Sequence, residues 1–119
     1  MENRLNLLCD AGVIDQDICS GMLRVVRRLN EEWRLPVYSE QGTMAMTHMA
    51  SALMRSRRGE VIEALDGELL DELMQSDLWP TLLLVHQALL EEFAVTLHAN
   101  EEGYLLANLY GLWMVAEGA

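Results

Sequence analysis

Apolar residues recur at helical spacing along the whole chain, and nowhere do polar and apolar residues alternate between turn dipeptides as strands require. The fold is thereby restricted to helices packed on their apolar faces. The breaks set their number. A short segment over about 2–9 ends at "AG", and allows one small extra helix. Asp15 suits the cap of a helix reaching about Arg34, with Ile18, Met22, Val25, Val26 and Leu29 as its stripe. Pro36 ends that helix, because the residue before a proline is pushed out of the helical region. The next helix covers about 41–57 and stops at Gly59, which suits a left-handed cap. "EVIEALDGELLDELMQSD" reads as one or two shorter helices with Gly67 as a weak point. Pro80 fits the first turn of a helix reaching about Phe93. Asn100 suits the cap of a last helix from Glu101 to about Val115, with two glutamates at the positive end of its dipole. The expected fold is all-α: a compact five-helix antiparallel bundle, in one domain spanning residues 1–119.

Composition narrows the function. Nineteen acidic against eight basic side chains give a net charge of −11, a surface that repels phosphate backbones and anionic lipid. Nucleic acid and membranes are therefore not expected partners. No apolar run has the length of a membrane span, and "MENRLNLLCD" lacks the basic start and apolar middle of an export signal. A cytoplasmic location is expected. Cys9 and Cys19 form no CxxC motif and read as free thiols.

The basic residues are unevenly placed. Arg55, Arg57 and Arg58 close the stretch "TMAMTHMASALMRSRRGE", and no lysine or arginine follows them. On a helical wheel, Met46, Met49, Ala50 and Leu53 form the core stripe, and His48 points roughly 140° away from its centre. Its neighbours Ala45, Ser51 and Ala52 are short, which leaves room for another molecule to reach the imidazole. Neutral imidazole is a good nucleophile near pH 7, with an ordinary pKa of about 6.5. A lone histidine on a helix more often has no special role, and three arginines at a helix end are favoured by its dipole alone.

The same residues carry a resemblance. "THMASALMRSRRG" resembles the first signature of the phosphotransferase-system regulation domain (PRD): a histidine, an arginine seven residues on, and a glycine four after that. His48, Arg55 and Gly59 match it, as do Ala52 and Leu53. "LHANEEGYLLANLYG" resembles the second signature through Glu101, Gly103, Tyr104 and Leu105. The second family histidine falls on Asn108, whose amide can hydrogen-bond but cannot carry a phosphoryl group as imidazole does. The resemblance covers about residues 15–117. It implies a regulatory module and not an enzyme, phosphorylated on His48 by the phosphocarrier protein HPr or a sugar permease's B component. Arg55, Glu101, Tyr104 and Asn108 would support the site. It further implies a homodimer, or action on another transcription regulator, in control of carbohydrate operons. The alternative is a degenerate helical protein-binding or dimerisation module without phosphotransfer.

Other constellations are weaker. His86 sits among leucines and reads as a core or edge histidine, and His98 as a surface residue in the loop before the last helix. The Glu-x-x-His pairs of carboxylate-bridged metal bundles are missing, so neither metal nor cofactor is expected. A small helical enzyme would need a pocket where carboxylates converge on His86.

Overall fold

The computed structural model describes residues 1–118, which hold six α-helices and no strand. They are α1 (Glu2–Asp10), α2 (Gln16–Glu31), α3 (Glu40–Arg58), α4 (Gly67–Met74), α5 (Trp79–Leu90) and α6 (Ala99–Ala116). The all-α expectation holds, but the helix count is six and not five; α1 is the additional short N-terminal helix. Ala119, the end of the expected domain, lies outside the described residues.

The side-chain contacts give the directions. Arg57 near the end of α3 meets Asp17 at the start of α2, so these two run antiparallel. Arg24 and Arg28 of α2 reach Glu92 and the Ala88 carbonyl in the reverse order, so α2 and the α5 region also run antiparallel. Between α3 and α6, His48 meets Asn108 and Arg55 meets Glu101. This third antiparallel pair makes the most extensive helix contact in the molecule. Ala45, Ala50 and Ala52 of α3 are buried, and their small side chains let the backbones approach.

The core stripes are those of the sequence. Ile18, Met22, Val25, Val26 and Leu29 of α2 are buried, as are Met46, Met49, Ala50 and Leu53 of α3. Several boundaries differ from expectation. The second helix ends at Glu31, three residues before Arg34, and Arg34 takes φ 54°. That turn lets the Leu35 N–H reach the Leu29 carbonyl and drops Leu35 and Val37 into the core. Asp15 occupies the N-cap position of α2, yet its carboxylate accepts from Arg57 and caps nothing. Ser39 caps α3 by accepting from the Gly42 N–H, and Gly59 closes it in the left-handed region at φ 74°.

Gly42 is required by close approach. A Cβ there would collide with the carbonyl of Val37, a backbone group that cannot rotate aside. Gly42→Ala is expected to lose about 2 kcal/mol: overpacking costs up to about 3, and helix propensity returns about 1. Urea denaturation checks this; an unchanged or raised midpoint would contradict the packing around Val37.

Candidate functional site

His48 lies on the exposed side of α3, and the half-buried Asn108 faces it from α6. Asn108 Nδ2 donates to His48 Nδ1 over 3.1 Å. One turn of α3 further on, Ser51 lines a groove of 220 Å³ together with His48, Arg55, Ile62, Glu101 and Tyr104. Every site residue picked from the sequence except Asn108 lines this groove, and Asn108 borders it through His48. Ser51 is legible as the residue one turn from His48. Ile62 carries no such signal.

Arg55 is not free. Its Nε and Nη2 donate to both carboxylate oxygens of Glu101, at 2.8 and 2.9 Å. The Glu101 side chain is only 2% exposed against 34% for Arg55. The two-toothed geometry suits guanidinium and carboxylate, and Glu101 raises the already high pKa of Arg55. Glu101 therefore serves as a buried partner, beyond its place in the first turn of α6.

Residues 60–66 are not helical, contrary to expectation. They run as a strap over α6, because Asn100 Nδ2 donates to the Ile62 carbonyl and Leu65 packs directly onto Gly103. Asn100 is thus occupied elsewhere, and His98 takes the cap: its Nδ1 accepts from the Asn100 N–H at 3.0 Å. The His98 N–H in turn donates to Ser56 Oγ on α3. His98 is half-buried at a helix junction and is not a plain surface residue.

The other two arginines are also engaged. Arg57 donates to Asp15 and, through two nitrogens, to Asp17. This pairing holds the Asp17 carboxyl at about 2, below the usual carboxylate range. A depressed carboxyl stabilises the fold above its ordinary pKa and ceases to do so only as pH falls through its folded value, here near 2. Arg58 lies 3.9 Å from Glu60. The positive charge expected around His48 is largely committed to carboxylates of the same chain, and Arg57 ties α3 to α2 rather than facing the groove.

His86 is buried, and burial pushes its pKa down; Glu102 opposes that shift more weakly. Its Nε2 stands 3.5 Å from the Glu102 carboxylate without making a hydrogen bond. Among the described residues, Glu102 is the one carboxylate that pairs with it. Cys9 and Cys19 are free thiols. Among the described residues, no cluster of three or more His, Cys, Asp or Glu is placed to hold a metal. Among those residues, too, no helix is long and apolar enough to cross a membrane.

Compared with known proteins, the chain is 70% identical over 116 residues to "Uncharacterized protein YhfY" of Escherichia coli (strain K12), across 98% of this chain and 97% of that protein. The chain belongs to the YhfY family. A second relative, "Uncharacterized protein" of Haemophilus influenzae (strain Rd), is 31% identical over 99 residues, across 83% of this chain and 79% of that protein. No family model and no solved structure matches the chain. The groove of this YhfY-family chain sets an accessible imidazole, bonded to an amide, beside a buried ion pair.

Proposed function

We propose that this protein is a stand-alone phosphotransferase-system regulation domain. In this reading His48 is reversibly phosphorylated in the cytoplasm by HPr or a sugar permease's B component. The domain is a regulatory module and not an enzyme. It acts as a homodimer or on another transcription regulator, in the control of carbohydrate operons. The observation that carries the reading is the exposed imidazole with Nδ1 tied to Asn108.

The chemistry follows from the two ring nitrogens. With Nδ1 engaged, Nε2 is left for a reacting partner. Its lone pair is available when the ring proton sits on Nδ1. Asn108 accommodates that tautomer by turning its amide, so that Oδ1 accepts from Nδ1–H in place of Nδ2 donating. Nε2 then forms the new N–P bond as the bond from phosphorus to the donor breaks, and the donor atom keeps the electron pair. The Nδ1 proton stays on the ring, held against Asn108 Oδ1.

The regulatory consequence is electrostatic. A phosphoryl group brings roughly −1.5 to −2 charges and strong acceptor oxygens. In the groove it would compete with Glu101 for Arg55, and Glu101 is too buried to be left unpaired cheaply. Glu101 stands at the start of α6, between the residues Asn100 and Gly103 that hold the strap, so loss of its pairing would be a route from one phosphoryl group to the bundle surface. Incubation with HPr, its phosphorylating enzyme and labelled phosphoenolpyruvate is expected to give an acid-labile label on the wild type and none on His48→Ala. An unlabelled wild type would end the phosphorylation reading.

One observation favours a second reading. Arg55 is already satisfied by Glu101, and the second acceptor position is an amide. A helical binding or dimerisation module that has lost phosphotransfer would look the same. It predicts that His48→Ala leaves partner binding unchanged.

A further inference from the structure

A second groove, of 290 Å³, opens between α4, α5 and the start of α6, and is separate from the His48 groove. Its walls are apolar: Leu70, Met74, Leu83 and Leu106, with the Trp79 indole. Three polar groups stand among them: the buried imidazole of His86, the half-exposed carboxylate of Glu102 and the exposed amide of Gln87. His86 is 4% exposed, and its Nε2 has no hydrogen-bond partner. Buried polar atoms are normally satisfied, so an orphan aimed toward a cavity wants a partner that enters from outside.

The geometry limits that partner. Nε2 and the Glu102 carboxylate oxygen lie 3.5 Å apart, a spacing at which one group with several N–H donors can serve both. Among the described residues Glu102 pairs with no arginine or lysine, and none lines the groove. Desolvation favours the neutral imidazole, which accepts at Nε2 when its proton is on Nδ1. With no arginine or lysine lining the groove, an anion would meet the repulsion of Glu102 and is disfavoured. A cation gains from the carboxylate and from the face of Trp79. The volume is at the small end for ligand cavities.

We infer that this groove binds a small primary amine with an apolar body, its ammonium bridging Glu102 and His86 Nε2 and its hydrocarbon lying against Trp79 and the leucines. The inference is independent of phosphorylation at His48. It is tested on the full chain at pH 7.5 by nitrogen-15 NMR titration with 2-phenylethylamine, 2-phenylethanol and 3-phenylpropionate. The amine is expected to give saturable shifts at the His86 imidazole and the Trp79 indole. The alcohol should bind about tenfold more weakly and the carboxylate not at all, as loss of a charge-assisted hydrogen bond implies. Glu102→Gln, a half-exposed position whose folding is checked by thermal melting, should weaken the amine about tenfold or more. Absence of saturable shifts at those two side chains would overturn the assignment. So would equal binding of all three probes, or full affinity in Glu102→Gln.

Discussion

Replacing Arg55 with methionine is expected to cost the fold about 3 kcal/mol at neutral pH. The substitution keeps the apolar stem and removes the guanidinium. Glu101 is then left with its side chain 2% exposed and no counter-charge. Stranding a buried charge costs about 3–5 kcal/mol, and the lower end applies because Arg55 is one-third exposed and water can enter where it stood. Arg55→Met with Glu101→Gln removes the stranded charge and should recover about 1–2 kcal/mol of it, the non-additivity expected of partners in contact. Urea denaturation of the wild type, both single variants and the double variant at neutral pH measures all of this. A loss below about 1 kcal/mol would class the pair with ordinary surface salt bridges.

Local signals in the sequence locate much of the fold. Gly59 ends α3 because glycine alone takes the left-handed cap without strain, and Pro80 sits in the first turn of α5, where its missing N–H costs nothing. The stripe Met46, Met49, Ala50 and Leu53 faces inward as its spacing requires. The failures have tertiary causes. "EVIEALD" has helical residue preferences, but Asn100 and Gly103 hold it open as a strap. Asn100 has the right chemistry for a cap and is diverted to Ile62, which hands the cap to His98.

The candidate site divides in the same way. Exposure of His48 follows from its angle on α3, a property of the helix alone. Its partnership with Asn108 spans 60 residues and is suggested in the sequence only through the family resemblance. The Arg55–Glu101 pair, 46 residues apart, has no local signal, although both residues can be picked out singly. Reading Arg55, Arg57 and Arg58 as a patch of positive potential misses that each faces a carboxylate supplied by a different part of the chain.

The second large effect concerns which ring nitrogen of His48 carries the phosphoryl group. Asn108 engages Nδ1, so transfer should occur at Nε2 alone, with the amide still bonded to the ring afterwards. Asn108→Leu removes that orientation while leaving the imidazole exposed. The labelling rate should then fall about fivefold to tenfold, the worth of one hydrogen bond of about 1–1.4 kcal/mol, with the loss concentrated in transfer to Nε2. The most direct measurement is a long-range proton–nitrogen NMR spectrum of the protein after incubation with HPr, its phosphorylating enzyme and phosphoenolpyruvate. Phosphorus coupling at His48 Nε2, together with a protonated Nδ1 that loses its signature in Asn108→Leu, is the predicted result. A spectrum with no phosphorus coupling at His48, or with the phosphoryl group on Nδ1, would contradict the account.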